Sequence, residues 1–321
     1  MYERGTSVPL KSSASLFPNN LCRVRVNGTM YAGVAHKDEM NIVCPITSRD
    51  EPGRVVVAKM TSSAPSGATI MQAAWVEVHR RPFLVLATTK GVLLFDWDGS
   101  VLRHAHLLPT PPLESPFSFT KGIASLYTGY ICVGIYTGEV LMFSVTDNGD
   151  VLGTEKVTLH PCPINALASL GQVLVSGDDE GGIVVSQEEE GSLSKICSIE
   201  SYESPVTCIA VWSGQVLAAF LSGHLRLFNL QGQILAEVCA HACSITGLDV
   251  AQETGLAISV SEDTFVRIWQ LHLSSPELPI EHKYSASEEN AALCGGVFTD
   301  DLGSGYVLAS YDSKELICYA M

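Results

Sequence analysis

Basic residues are in short supply. Nineteen Lys and Arg stand against 34 Asp and Glu, for a formal net charge of −15. A field of that sign repels phosphate backbones and anionic headgroups, which disfavours nucleic acid and membrane surfaces as partners. Charge is thin altogether, at 17% of residues against 46% hydrophobic, a balance that excludes a disordered chain. Long apolar runs are missing too. None approaches the roughly 20 residues that a membrane-spanning helix needs. The opening Met1-Tyr2-Glu3-Arg4-Gly5-Thr6-Ser7 lacks the apolar core of a secretory signal, so the expected compartment is the cytoplasm or nucleus, with the cytoplasm preferred.

Several chemistries lack their residues as well. There is no Gly-rich phosphate loop of the P-loop or dinucleotide type and no paired-histidine zinc helix. Asp147-Asn148-Gly149-Asp150 reads as a hairpin turn, being too short for a calcium loop. Cys239-Ala240-His241-Ala242-Cys243 offers three potential ligands two apart, but no second cluster closes a tetrahedron. No cofactor and no metal are therefore expected. The ten cysteines are scattered, many of them inside predicted strands, and are expected to pack reduced as small apolar residues.

What the chain does have is repetition. A small-residue apolar stretch, a polar tight turn and a short apolar run ending mostly in an aromatic recur at 84–95, 131–143, 173–186, 216–228, 256–269 and 307–319. Aligned on Val92, Val140, Ile183, Leu225, Val266 and Leu316, the copies step by 48, 43, 42, 41 and 50 residues. Upstream of the hairpins an apolar pair three apart recurs (Ile123 and Leu126, Ile164 and Leu167, Val206 and Ile209, Ile245 and Leu248), predicting a first strand. Downstream lies a polar stretch, such as 191–199 or 231–238, predicting an outer one. Four strands with a period in the forties define a β-propeller blade.

A lone four-stranded sheet cannot bury both faces, so the blades must stack into one domain. The 321 residues accommodate seven, at approximately 20–60, 70–108, 120–159, 162–201, 204–239, 243–285 and 291–321. The fold class is therefore all-β, a single seven-bladed β-propeller of four-stranded antiparallel blades. The last unit has only three strands of its own, leaving an edge that invites aggregation. Residues 7–17 are expected to close the ring as its missing strand.

The most specific motif lies between Cys239 and Leu271. His241 is followed 22 residues later by Asp263 and then by Trp269, with Ser259 and Ser261 on the same side of the strand between them. An aspartate on the turn can accept from the imidazole, a serine relays and the indole N–H donates, locking the blade. This pattern resembles the WD-repeat β-propeller family, and the resemblance continues through Phe17–Leu21, Tyr130–Gly134, Gly138–Phe143, Ala240–Ile245, Glu262–Trp269 and Leu293–Gly295. It implies a small stand-alone propeller that serves as a protein-interaction platform. At the position of Asp263 the other repeats carry Thr89, Thr137, Glu180, Ser222 and Ser313, so the complete bonded chain is expected in one blade only. A Ser-His-Asp hydrolase reading finds no nucleophile elbow or oxyanion hole.

Function follows as an expectation. The favoured reading is a non-catalytic scaffold that binds other proteins, within a larger complex in one version. A stable subunit of a cytoskeletal or ciliary assembly is the alternative, and an enzyme built on the central channel a distant third. Small apolar first strands, with Ala124, Ser125, Ala166, Cys208 and Thr246, argue against the enzyme. A ubiquitin-ligase substrate receptor is disfavoured because Trp269-Gln270 lacks the expected Trp-Asp pair and a following basic residue. Candidate partner-binding loops are the Pro-rich insertion with Pro109, Pro111, Pro112 and Pro116, the insertion with Pro276 and Pro279, the acidic turn Asp178-Asp179-Glu180, and the basic loop with Arg80 and Arg81.

Overall fold

A computed structural model describes residues 2–44, 54–58, 68–109, 117–273, 275 and 277–321. Among them all regular structure is β, arranged as the seven antiparallel blades of a β-propeller. Blade 1 comprises Cys22–Val26, Thr29–His36, Glu39–Val43 and Arg54–Val57; blade 2, Ile70–Val78, Arg81–Thr88, Gly91–Asp96 and Leu102–Leu107. Blade 3 is Thr120–Leu126, Tyr130–Ile135, Glu139–Val145 and Val151–Thr158, and blade 4 is Ile164–Leu170, Val173–Asp178, Ile183–Glu189 and Ser192–Ile199. Blade 5 runs Val206–Trp212, Gln215–Phe220, His224–Asn229 and Ile234–Cys239; blade 6, Ile245–Ala251, Leu256–Ser261, Phe265–Leu271 and Ile280–Ser287. Blade 7 contributes Leu293–Phe298, Gly305–Ser310 and Glu315–Ala320. By contact density the chain divides into two compact units, residues 37–40 with 56–206, and residues 1–36 with 41–55 and 207–321.

Burial follows strand position. Second strands are covered on both faces, as at Gln215–Phe220 and Gly305–Ser310, where every residue is buried, while fourth strands such as Ile234–Cys239 alternate exposed and half-buried. Within the first unit blades 2 and 3 share one apolar cluster around Phe83, Val85, Ile131 and Phe143, and blades 3 and 4 share another around Leu126, Met142, Ile164 and Leu174. In the second unit Leu227, Ile245 and Trp269 join blades 5 and 6, and Val260, Phe298 and Tyr306 join blades 6 and 7. A β-bulge recurs at the start of the first strand, between Ile70 and Gln72, Lys121 and Ile123, Ile164 and Ala166, Ile245 and Gly247, and Leu293 and Gly295. At that bulge Gly122 has φ +78°, and a Cβ there would lie 3.0 Å from the Leu167 backbone nitrogen. Only glycine fits both the backbone and the approach.

The N-terminal segment does complete the last blade, through Val8–Pro9 inside the expected 7–17 stretch and through Glu3–Arg4 upstream of it. Glu3–Arg4 and Val8–Pro9 pair with Glu315–Ala320 in register Glu3↔Ala320, Arg4↔Tyr319, Val8↔Leu316 and Pro9↔Glu315. After Leu10 N donates to Lys314 O the chain bends away, and it touches blade 7 again at Ala14, which bridges Tyr311, donates from its N to Ser313 O and accepts at its O from Asp312 N. Buried Asn41 holds the bend: its Oδ1 accepts from Lys11 N and Ser12 N at 3.1 and 3.2 Å, and its Nδ2 donates to Ser12 Oγ at 2.7 Å. The polar Met1–Gly5 stretch carries no strand pattern; Tyr2 anchors it, its ring packed on Tyr306 and Tyr284 and its hydroxyl donating to Gly303 O at 2.6 Å.

Tyr2→Ala removes a buried aromatic from this seam and is expected to cost about 3 kcal/mol in a urea titration. An unchanged midpoint would show that the N-terminal strand does not hold the last blade.

Candidate functional site

In blade 6 four side chains from four local elements meet. His241 comes from the connection entering the blade, Ser259 from the second strand, Asp263 from the tight turn and Trp269 from the third strand. His241 Nδ1 lies 3.0 and 3.1 Å from the two Asp263 carboxylate oxygens, and its Nε2 lies 2.8 Å from Ser259 Oγ. The carboxylate can only accept, so the proton sits on Nδ1 and Nε2 accepts from the serine. Trp269 Nε1 closes the line by donating to Ser259 Oγ at 2.9 Å. Ser261, the other serine on that side, instead donates to Cys243 O and accepts from Asp263 N, shaping the turn.

The electrostatics keep this group in one protonation state. Burial, with Arg267 adding a cation 3.1 Å from Nδ1, outweighs Asp263 and pushes the His241 pKa below its ordinary value. Burial by itself would raise Asp263, but donation from Ala242 N and Phe265 N, each at 3.0 Å, together with His241, holds its carboxyl below the usual range. A neutral imidazole beside a carboxylate is the result.

Blade 4 contains a second cluster. His160 Nδ1 stands 2.8 Å from Asp178 Oδ2 and its Nε2 2.7 Å from Ser176 Oγ. Burial by itself would raise Asp178, but donation from His160, with Gly182 N at 2.7 Å and Glu180 N at 3.0 Å, holds its carboxyl below the usual range. The cross-strand pairs Gly177↔Ile183 and Val260↔Val266 are equivalent. Asp178 therefore occupies the place of Ser261, two residues before the place of Asp263, and Glu180, which does align with Asp263, is exposed. A signal was present: His160 precedes Ile164 by four residues, as His241 precedes Ile245. The cluster lacks its indole, since Ser186 stands at the Trp269 position and donates to Leu174 O. The complete four-member line thus belongs to blade 6 and a three-member version to blade 4.

The remaining candidates are dispersed. Asp178 is buried and is no part of an acidic surface; Asp179 accepts from Asn165 Nδ2 at 2.9 Å, and Glu188 is buried with Gly191 N on its Oε1. Arg81 is held by Asn148 O at 2.6 Å and Asp96 at 3.0 Å, whereas Arg80 is exposed at a turn with φ +60°. Pro109 is exposed and Pro279 O accepts from His272 N; Pro111, Pro112, Pro116 and Pro276 lie outside the described residues. None of the ten cysteines forms a disulfide, and Cys239 and Cys243 are exposed beside a His241 whose two ring nitrogens are engaged. The expectation of small apolar first strands needs correction: they also carry Gln72, Lys121, Asn165 and Asp249. Gln72 accepts from Gly122 N at the bulge, and half-buried Asp249 accepts from Phe298 N.

Repeated blades with a turn aspartate, a histidine at the blade entrance and an indole on the third strand define a WD-repeat propeller. Solved structures agree on the fold. A chain of the crystal structure of the mitotic checkpoint complex aligns with TM-score 0.76 at 13% identity, covering 99% of this chain and 94% of that one. The RRP9 WD40 repeats align with TM-score 0.75 at 12% identity over 100% and 99%. The chain belongs to the WDR54 family, whose profile matches residues 1–321. WD repeat-containing protein 54 of Mus musculus is 30% identical over 99% of this chain and 98% of its own length, and that of Homo sapiens 28% identical over 98% of each.

Two predictions follow from the clusters. Asp178→Ala leaves a buried imidazole N–H without an acceptor and is expected to cost about 1–3 kcal/mol, while Glu180→Ala at the aligned position is expected to stay within about 0.5 kcal/mol; equal effects in chemical denaturation would refute the assignment. Because the folded-state pKa of His241 lies below its unfolded value, its neutral form is favoured by folding. Stability is therefore undiminished above the ordinary histidine value and falls as pH drops through it. His241→Gln should flatten the slope of unfolding free energy between about pH 7 and 5, and an unaltered slope would contradict the shift.

Proposed function

We propose that this chain is a non-catalytic protein-interaction scaffold working in the cytoplasm. The observation that carries the reading is that the two histidine clusters turn inward: the His241 and His160 side chains are 0% and 1% exposed, with both ring nitrogens of each occupied by the blade itself. Groups so placed rigidify a blade and offer no substrate a hand. Large apolar side chains are meanwhile presented to solvent on the turns and edges of these stiff blades, with Tyr127 at 87%, Phe117 at 77% and Leu152 at 74% exposure. Exposed aromatics on a rigid support are the side chains that anchor protein interfaces. The blades' acidic surface bias favours basic partners and repels nucleic acid.

The test is gentle affinity purification from cell extract with mass spectrometry and native sizing. Co-purifying proteins lost on Tyr127→Ala, with the melting temperature unchanged, are expected. A chain that always runs alone near its 34.4 kDa, or turnover of a small substrate abolished by His241→Gln without unfolding, would sink the reading.

A further inference from the structure

Beside the seam that joins the N-terminal strand to blade 7, the connection leaving blade 6 and the turn between the second and third strands of blade 7 enclose an open cavity of about 750 Å³. Its floor is Glu288, only 5% exposed. One Glu288 oxygen accepts from the Tyr319 hydroxyl, and the other faces Arg4 Nη1 at 3.2 Å. Arg4 and Tyr319 are themselves cross-strand partners, so the floor is pinned from both sides of the seam. The wall carries two more carboxylates, Glu289 and Asp312, and the ring of Tyr311, which is 51% exposed.

The charge count decides what this cavity prefers. One cation faces three carboxylates, and that cation is already committed to Glu288. Glu289 and Asp312 are exposed, and their side-chain carboxylates have no hydrogen-bond or ion-pair partner among the described residues. A bare metal ion is the wrong occupant, because no three His, Cys, Asp or Glu side chains among the described residues converge closely enough to hold one. A larger cation that spans two separated carboxylates suits the volume. A planar guanidinium does so with several N–H donors and can lay its face on a phenol ring, which a compact ammonium does less well.

We propose that this cavity receives an arginine side chain presented by a partner protein, with Glu289 and Asp312 accepting from the guanidinium and Tyr311 covering it. The inference deepens the scaffold reading and rests on it for the source of the arginine. Glu288 is the fixed floor that holds the wall in place through Tyr319 and Arg4.

Fluorescence anisotropy tests it with the full chain and a fluorescein-labelled Gly-Ser-Gly-Arg-Gly-Ser-Gly peptide, against the same peptide carrying citrulline, which keeps the shape and loses the charge. Saturable binding of the arginine peptide is expected, with the citrulline peptide about tenfold weaker or more. The double variant Glu289→Gln, Asp312→Asn should lose affinity for the arginine peptide to a similar extent and melt as the parent does. Equal affinity for the two peptides, failure of the arginine peptide to saturate, or a folded double variant that binds like the parent overturns the site. The citrulline comparison uses the unaltered chain and stands whether or not the variant folds. No native partner enters the assay, so a negative result removes the arginine site and leaves the scaffold reading to its own test.

Discussion

The structure depends on covering both faces of every blade. Second strands such as Gln215–Phe220 and Gly305–Ser310 are apolar on either side of the sheet, and an isolated four-stranded sheet has no means of hiding both. The shared clusters around Phe143 between blades 2 and 3 and around Trp269 between blades 5 and 6 are the local solution. Each fully buried phenylalanine or leucine contributes on the order of 1.5–3 kcal/mol by leaving water. A buried carboxylate or imidazole is tolerated where donors and acceptors meet it.

That condition explains the two histidine clusters. A buried carboxylate is costly unless several donors meet it, and Asp178 and Asp263 each collect backbone N–H groups in addition to an imidazole. The same residue types that suggest acid–base chemistry in a list of the chain are here consumed in tying a turn to the blade entrance. Blade 6 adds Trp269 to the line, so that one network runs from the turn to the third strand. Blade 4 stops at Ser176 and relies on Val185, Ile183 and Leu174 for the rest.

Most of the fold was legible beforehand because its signal is periodic and local. A recurring apolar stretch, polar turn and apolar run at steps of 41 to 50 residues located the strands of blades 2 to 7, and the four residues 241, 259, 263 and 269 were already in line. Three features escaped for identifiable reasons. The closure uses Glu3–Arg4 in addition to Val8–Pro9 and does not run on through residues 11 and 12, because the side chain that pulls these away, Asn41, belongs to blade 1. Asp178 passed for a surface acid because aligning turns residue by residue hides a two-residue shift in which position reaches the histidine. The first strands looked uniformly small because Gln72 and Lys121 sit at bulges, where the alternation rule loses its register.

By itself the sequence determined the class of the molecule, its count of blades and the local order of strands, since these rest on side-chain periodicity within a few tens of residues. Only the tertiary structure decided which carboxylate serves His160, that Glu3–Arg4 joins the closure of the last blade, and that Arg4, Glu288 and Tyr319 meet at a cavity. Those outcomes join positions as far apart as Tyr2 and Gly303. Hydrogen bonds across such separations are chosen by the packing of whole sheets, and no local pattern of residues carries that information.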